Sequence, residues 1–336
     1  MRHIMPSDAE AVLKRILEGR GCPAVHAVIV AHEIVCNSLE GTYSHGINRF
    51  PRLVRNIEEG IIDMEAEPVL ERWMGGIERY DGRCGFGIVN ACICMDRAIE
   101  LAETHGIGCV ALRNTNHWFR AATYGYQACA RGMAGICFTN TMPNMPTWGA
   151  SDPRLGNNPL VFAFPWKDGD IVVDMAMSQY SYGALEVARL KGTKMPYPAG
   201  FDAEGNLTTD PEAVLASKRG LPIGYWKGAA LSFALDIFAA ALSLGNSTAV
   251  IRRQGNEYGL SQVFIAININ AIAPREEIER IIEEAVSDLA TSKPDGSGTP
   301  IVYPGQRRRT IRERNLAEGI PVDERVWDEI IALERT

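Results

Sequence analysis

Short apolar runs that alternate with helical patterns between residues 66 and 290 are the strongest constraint on the fold of this chain. Each of two helical patterns, 89–104 and 121–131, is followed by an apolar run typical of a strand. Further strand-like runs lie at 160–165, 171–175 and 261–268. Alternating strands and helices bury their apolar sides by packing helices against a sheet. The sequence therefore predicts an α/β domain over this part of the chain.

Helical patterns also open and close the chain. They cover 7–20, 23–40, 47–59, 274–290 and 322–334, and a polar, arginine-rich stretch at 293–317 comes before the last of them. We therefore expect three parts. They are a helical N-terminal region (1–75), an α/β domain that binds cofactor and substrate (76–290), and a C-terminal segment (291–336) packed on the N-terminal region.

One segment, 227–244, is strongly apolar and stops at Gly245, so it predicts a buried helix. The preceding stretch, 193–225, is rich in Pro, Gly, Asp and Asn. It predicts a long ordered excursion, and structured loops of this kind often line binding sites.

Charge and cysteine content exclude several classes of protein. Lys and Arg number 34 against 41 Asp and Glu, and the net charge of -7 gives no cationic surface for nucleic acid or an anionic membrane. The eight cysteines include no Cys-x-x-Cys pair, which argues against a zinc ribbon. No run approaches 18 uncharged apolar residues, and the first residues lack a signal-peptide core. We expect a cytoplasmic protein with reduced, mostly buried thiols and no metal.

All six histidines lie within the first 117 residues. His26 and His32 lie inside a helical pattern without the spacing of a metal site, and His105 lies at a predicted helix end, so we expect structural roles for these three. His45 and His117 remain as candidates for acid–base chemistry.

His45 and Arg49 lie where polar residues give way to an apolar helical pattern, and on an α-helix their spacing puts both on one face. A 2-oxo acid needs a cation for its carboxylate and an acid that protonates its carbonyl oxygen as hydride arrives, and Arg and His supply these. The spacing leaves it equally open that Ser44 only caps a helix and that Arg49 is a solvated charge.

Asn116 and His117 follow a strand-like run and precede a helix, a position where polar residues commonly line α/β sites. A loop histidine is as often a hydrogen-bonded structural group. No Gly-x-Gly-x-x-Gly motif follows a strand, and there is no Walker A motif, so a standard dinucleotide-binding fold is not indicated. These patterns alone indicate an α/β enzyme of unknown chemistry.

Several short motifs occur in the order typical of one family. They are Ser44-His45-Gly46-Ile47-Asn48-Arg49-Phe50-Pro51-Arg52, Asn116-His117-Trp118, Trp148-Gly149, Asn157-Asn158-Pro159-Leu160, Val173-Asp174-Met175 and Tyr225-Trp226-Lys227-Gly228. Through them the chain resembles the type 2 malate/L-lactate dehydrogenases over nearly its whole length. The resemblance implies a mixed-sheet, non-Rossmann α/β fold, a homodimer, and an extended NADH or NADPH cofactor near the subunit interface.

The resemblance also implies roles for individual residues. His45 matches the proton donor of the family. In the reaction that the paired Arg and His indicate, Arg49 would hold the substrate carboxylate, and Ser44, Asn116 and His117 are candidates for its other oxygens. Cofactor contacts would come from Asp170, Ile171, Val172, Val173, Asp174, Met175, Ala176, Trp226, Lys227, Gly305, Gln306 and Arg307. Lys227 opens a predicted helix, where its charge and the helix dipole favour a pyrophosphate. The alternative is a packed Trp226 indole beside a surface cation.

The chain departs from the expected pattern after Gly305, where Gln306 and three arginines, 307–309, stand in place of an acidic residue. An acidic residue usually holds an unphosphorylated ribose, whereas clustered guanidinium groups suit a 2′-phosphate. The run predicts that NADPH is accepted at least as readily as by NADH-preferring relatives. A solvated stretch is an equally open interpretation.

The function predicted from these observations is nicotinamide-dependent reduction of a 2-oxo acid, with a polyhydroxylated 2,3-dioxo acid as the first candidate substrate. The alternatives are a malate/lactate-type or cyclic imino acid reductase on the same scaffold, and a non-catalytic sugar-acid-binding protein. Single pocket contacts decide the substrate's length, and the sequence does not fix them.

Overall fold

The computed structural model describes residues 1–334, so the last two residues of the predicted C-terminal segment 291–336 lie outside the described residues. The strands are β1 (Arg2–Ile4), β2 (Val69–Met74), β3 (Ile77–Asp81), β4 (Ile107–Thr115), β5 (Ala134–Thr139), β6 (Pro143–Pro146), β7 (Pro153–Gly156), β8 (Leu160–Phe164), β9 (Ile171–Met175), β10 (Gly200–Phe201), β11 (Leu207–Thr208), β12 (Leu260–Ile267) and β13 (Ile320–Val322). The helices are α1 (Pro6–Gly19), α2 (Ala24–Leu39), α3 (Phe50–Glu58), α4 (Gly87–His105), α5 (Ala122–Ala130), α6 (Tyr182–Leu190), α7 (Pro211–Ser217), α8 (Trp226–Ser243), α9 (Thr248–Gln254), α10 (Arg275–Ala290), α11 (Arg307–Glu318) and α12 (Glu324–Leu333).

A seven-stranded mixed sheet in the order β2-β3-β4-β12-β5-β8-β9 forms the centre of the molecule. Strands β3 and β4 are parallel, and the other neighbouring pairs are antiparallel. This arrangement is unlike the parallel sheet of a Rossmann domain. The predicted mixed-sheet α/β fold is therefore confirmed.

Helices cover both faces of this sheet. On one face, α4 and α5 pack on the sheet in a core that includes Met95, Tyr124 and Phe264. On the other face, α8 packs in a core that includes Leu235 and Val263. Because neighbouring residues of a strand face opposite sides, Val263 and Phe264 serve different cores, which explains the unbroken apolar run of β12.

Helix α8 corrects one expectation, because only its sheet-facing side is buried. Phe233 and Phe238 on its other side are 57% and 59% exposed. Within the described chain, α8 is the one helix long and apolar enough to cross a membrane, with 39% of that window buried. A helix that packs on a sheet passes the same test of length and composition, so this is weak evidence for a membrane span.

The two ends of the chain pack together. Strand β1 pairs with β13, and Trp327 and Ile330 of α12 share a buried core with Leu13 and Phe50 of the N-terminal helices. Helix α11 forms inside the arginine-rich stretch that the sequence indicated only as polar. The division of the chain into three parts stays a prediction.

The predicted helix over 47–59 begins later than expected. Two 3₁₀ turns, Tyr43–His45 and Ile47–Arg49, come before α3, which starts at Phe50 with Pro51 in its first turn. His45 and Arg49 therefore do not share one α-helical face, which corrects the geometry inferred from their spacing. The predicted excursion 193–225 is ordered and contains β10, β11 and α7.

Candidate active site

A cavity of about 1030 Å³ opens between the N-terminal turns, the β4–α5 loop, β9 and the loop before α11. This volume is at the upper limit of the range common for small-molecule sites. The cavity can therefore hold a small substrate and a second, larger molecule at the same time. Its walls include Ser44, His45, Arg49 and His117. The structure thus brings together four of the five residues predicted for catalysis or substrate binding.

The hydroxyl of Ser44 orients His45. Ser44 Oγ lies 2.9 Å from His45 Nδ1, and the Asn37 amide donates to the His45 carbonyl oxygen at 3.0 Å. Burial, together with the smaller effect of the charge of Arg49, lowers the pKa of His45 to about 4. The ring is therefore neutral near pH 7 before an anion binds.

A backbone contact selects the tautomer of His117. The Phe119 N–H donates to His117 Nδ1 at 2.9 Å, so the neutral ring carries its proton on Nε2. Burial holds the pKa of His117 well below its usual value, and Arg49 and His45 add to this shift. A neutral His117 can therefore donate a hydrogen bond from Nε2 but is a poor source of a proton.

Arg49 is a largely buried cation with unused donors. Its side chain is 22% exposed, and its Nη2 lies 3.9 Å from Glu257 Oε1, beyond hydrogen-bond distance. No residue in the described part of the chain accepts a hydrogen bond from its guanidinium group. Burial lowers the pKa of Arg49 to about 10, against the opposing effect of Glu257. Arg49 therefore remains charged near neutral pH, with donors free for an anionic ligand.

Asn116 lies apart from the main cavity. Its side-chain amide donates to the carbonyl oxygens of Ile61, Cys84 and Gly85, and the residue is 3% exposed. It lines only a small adjacent space, shared with Arg49 and His117. This placement favours a structural role for Asn116 in holding the loop that carries His117.

Strand β9 presents alternate residues to the cavity. Val172 and Asp174 line it, as does Ala176 directly after the strand. Asp174 also accepts the backbone N–H of Ala122 at 2.9 Å, at the start of α5, and desolvation raises the pKa of this carboxyl. The remaining predicted residues of this run, Asp170, Ile171, Val173 and Met175, do not line the cavity.

The loop before α11 packs directly on β9. The Val172 N–H donates to the Pro304 carbonyl at 3.0 Å. Gly305 has φ +98°, and a Cβ there would lie 2.6 Å from the carbonyl oxygen of Asp170, so no larger residue fits. The side-chain oxygen of Gln306 accepts the Tyr303 N–H, and Gln306 does not line the cavity. Strand β9 and this loop together form a continuous wall, open to the cavity at Gly305, that an extended ligand could follow.

The arginines at 307–309 do not form the cluster that their sequence suggested. Arg308 binds both oxygens of Glu40 at 2.7 Å and stacks 3.8 Å above the ring of Tyr126. Arg309 pairs with Glu313 and is 83% exposed. Arg307 lines the cavity, and no residue among 1–334 pairs with it. Of the three arginines, Arg307 is therefore the one that lines the cavity without an ion-pair partner among the described residues.

The carboxylate of Glu40 neutralises Arg308 within a larger cluster of charges. Its buried carboxylate also contacts Arg120 and Arg312. Burial alone would raise the pKa of Glu40, but hydrogen bonds and charges from Arg308 and Arg120 hold it below the usual value. This cluster ties the end of α2, the β4–α5 loop and α11 together in the wall of the cavity.

Two predicted cofactor residues, Trp226 and Lys227, lie outside the cavity of the single chain. They begin α8, as predicted, but both are exposed, Trp226 by 60%. Their position is next to the uncovered apolar side of the same helix.

Many cavity residues were missed from the sequence, and three of them are Glu257, Lys218 and Gly183. Glu257 lies in a short loop between α9 and β12, Lys218 lies in the excursion 193–225, and Gly183 lies at the start of α6. Of these three, Lys218 had a signal, since the excursion was expected to line a site. A Cβ on Gly183 would lie 2.7 Å from Ser44 Cβ, so this glycine allows α6 to close against the residue that orients His45.

Comparison with known proteins gives consistent matches over nearly the whole chain. The family model for malate/L-lactate dehydrogenase matches residues 4–331. A 2,3-diketo-L-gulonate reductase from Klebsiella pneumoniae (strain 342) is 42% identical over 328 residues, which is 97% of this chain and 98% of the relative. A protein of the same name from Escherichia coli O139:H28 is 42% identical over 96% of this chain and 98% of its own length.

Solved structures have the same fold. Malate dehydrogenase from Entamoeba histolytica superposes with a TM-score of 0.95 at 25% identity, covering 99% of this chain and 97% of that one. Sulfolactate dehydrogenase from Methanocaldococcus jannaschii gives a TM-score of 0.88 at 29% identity, with 99% and 96% covered. Delta1-piperideine-2-carboxylate reductase from Pseudomonas syringae pvar. tomato gives 0.86 at 27% identity, with 99% and 100% covered. These structures carry names of different substrates, so the fold alone does not select one.

Proposed function

The chain belongs to the malate/L-lactate dehydrogenase family, and from this we propose that it reduces 2,3-diketo-L-gulonate to 3-dehydro-L-gulonate. It is an oxidoreductase. The relatives at 42% identity carry the name of this substrate. The observation that carries the proposal is the Arg49 guanidinium, buried with free donors in one cavity with His45 and His117.

The reaction adds a hydride and a proton across the C2 carbonyl, which becomes a secondary alcohol. A bound nicotinamide supplies the hydride. Arg49 holds the C1 carboxylate, and the Nε2–H of His117 donates to the carbonyl oxygen. His45, oriented by Ser44, delivers the proton to that oxygen as negative charge develops on it.

His45 must gain a proton before it can give one. Burial and Arg49 keep its pKa at about 4 in the free protein. A substrate carboxylate bound to Arg49 offsets that cation and raises the pKa of His45, so proton uptake accompanies substrate binding. The arrangement makes the acid available chiefly when an anionic substrate is present.

The residues around the cavity fit a nicotinamide cofactor. The wall formed by Val172, Asp174, Ala176 and Gly305 is continuous, and Arg307 adds a free cation to it. We propose that these five residues hold NADH or NADPH. Of the arginine run, Arg307 alone is positioned to contact a 2′-phosphate, because Glu40 holds Arg308 and Arg309 faces solvent.

We also propose that the protein is a homodimer that uses the uncovered side of α8. The sheet supports one side of this helix, and Phe233, Ile237 and Phe238 are exposed on the other. Exposed apolar patches of this kind mark interfaces, and a second copy would cover the patch. Trp226 and Lys227 lie at its end, so in the dimer they would contact cofactor near the interface. The cysteines are free throughout residues 1–334, which supports a reducing, cytoplasmic location.

The test of the function is loss of NADH and NADPH absorbance with 2,3-diketo-L-gulonate, oxaloacetate, pyruvate and delta1-piperideine-2-carboxylate. We expect the highest kcat/KM with 2,3-diketo-L-gulonate. A higher value with another compound would assign the chain a different substrate, and absence of turnover with all four would contradict the reductase. Light scattering at micromolar concentration tests the dimer, and Phe238→Glu should give monomers if α8 forms the interface.

A further inference from the structure

An acidic side chain, Glu257, lies beside the proposed carboxylate-binding arginine in the candidate active site. Its Oε2 accepts the backbone N–H of Met142 at 3.2 Å. Its Oε1 points toward Arg49 Nη2, but at 3.9 Å the two do not form a hydrogen bond. No residue among those described donates to Oε1. Glu257 is 17% exposed at its side chain, so this free acceptor belongs to the cavity wall.

The 3.9 Å separation leaves both partners available to a ligand. A guanidinium and a carboxylate at hydrogen-bond distance would satisfy each other, whereas here the donors of Arg49 and one oxygen of Glu257 remain unused. A ligand that carries both an anionic group and hydroxyl groups can satisfy both. A carboxylate accepts hydrogen bonds from hydroxyls but repels a second carboxylate.

We propose that Glu257 selects the substrate of this enzyme, by accepting hydrogen bonds from hydroxyl groups of a polyhydroxylated 2-oxo acid and by rejecting dicarboxylates. The inference rests on the proposed function, because it takes Arg49 as the site of the first carboxylate. Met142 fixes one oxygen of Glu257, so the other keeps its direction without a ligand.

Three six-carbon 2-oxo acids test the inference. They are 2-oxohexanoate, which has no hydroxyl, 2-oxoadipate, which has a second carboxylate, and 2,3-diketo-L-gulonate, which has three hydroxyls. In Glu257→Gln, kcat/KM for 2,3-diketo-L-gulonate should fall by about 10- to 100-fold, as expected when a charged acceptor is replaced by a neutral amide. The value for 2-oxoadipate should rise relative to 2-oxohexanoate by about 10-fold, as expected for removal of a nearby like charge.

A matched control separates this effect from a change in net charge. Glu283→Gln removes the same charge from an exposed position on α10, and it should leave the three values unchanged. Glu257→Asp keeps the charge, but its shorter side chain moves the carboxylate away from the ligand. This second variant should lose the preference for 2,3-diketo-L-gulonate and still reject 2-oxoadipate, which keeps the test informative if Glu257→Gln folds poorly.

The outcomes distinguish failure of the proposed function from failure of the proposed role of Glu257. If the wild type reduces none of the three acids, the proposed function fails. If the wild type reduces them and Glu257→Gln lowers kcat/KM equally for all three acids, Glu257 only positions Arg49. The proposal that Glu257 selects the substrate is then wrong. Unchanged ratios in both Glu257 variants would likewise overturn the inference.

Discussion

The rings of His45 and His117 stack nearly parallel, with their centroids 5.7 Å apart and an interplanar angle of 13°. Two imidazoles this close cannot both be protonated without mutual repulsion, and each lies in a site that disfavours charge. The backbone of Phe119 fixes one ring as a neutral donor, while the hydroxyl of Ser44 orients the other. This difference in environment is the basis for the proposed roles, proton transfer by His45 and carbonyl binding by His117.

Replacing His45 should therefore affect turnover more than binding. We expect His45→Ala to lower kcat by about 10²- to 10⁴-fold, because it removes the proton donor from a preserved cavity. Steady-state kinetics with 2,3-diketo-L-gulonate measure the change, and circular dichroism checks the fold. His105→Ala, at an exposed helix end, is the matched control and should retain full activity. Activity of His45→Ala within a few-fold of wild type would show that another group supplies the proton.

The buried His45 should also make folding stability depend on pH. Its pKa is about 4 in the folded protein against 6.5 unfolded, so the unfolded chain binds more protons between these values and stability falls as pH decreases through this window. From pH 8 to pH 5 this group should cost about 2 kcal/mol of the free energy of unfolding. Urea unfolding of wild type and His45→Gln at both pH values isolates the contribution. An identical loss of stability in the two proteins would mean that His45 is not desolvated.

Arg49 should not tolerate lysine. Arginine presents parallel donors to a carboxylate, and its delocalised charge is easier to bury than an ammonium group. We expect Arg49→Lys to lower kcat/KM for 2-oxo acids by more than about 10-fold, with most of the loss in KM. Arg55→Lys, on the exposed side of α3, provides a control for the same exchange. Wild-type kinetics in Arg49→Lys would remove Arg49 from the substrate site.

Much of the fold follows from local sequence. The apolar run at 171–175 is β9 itself, and the run at 160–165 becomes β8, because β-branched and aromatic residues favour strands. Amphipathic spacing over 274–290 likewise locates α10 to within one residue. Amphipathic spacing did not predict α11, since Arg308 and Arg312 of this helix bind Glu40 and Arg307 lines the cavity, in place of contacts with an apolar core.

The composition of the site depends on contacts that local patterns do not encode. Arg308 and Glu40 are 268 residues apart, so nothing near the arginine run indicates that one of its members is neutralised. Glu257 reaches Arg49 in the same way, from a loop with no distinctive motif. Motif order indicated His45 and His117, whereas their stacking and the role of Ser44 required the folded chain.

The choice between NADH and NADPH should depend on Arg307. This side chain lines the cavity without a partner in the described chain, whereas its neighbour Arg309 points to solvent and pairs with Glu313. A 2′-phosphate gains charge-assisted hydrogen bonds from a free guanidinium group, and an unphosphorylated ribose does not. Arg307→Ala should therefore lower kcat/KM for NADPH by about 10-fold or more and change the value for NADH little. Arg309→Ala removes an equal charge two residues away and should leave the ratio of the two values unaltered. Both variants keep Arg308 on Glu40, so the wall of the cavity stays intact in each. If the ratio does not move toward NADH in Arg307→Ala, or moves equally in Arg309→Ala, the arginine does not contact the phosphate and the cofactor's adenosine end lies elsewhere.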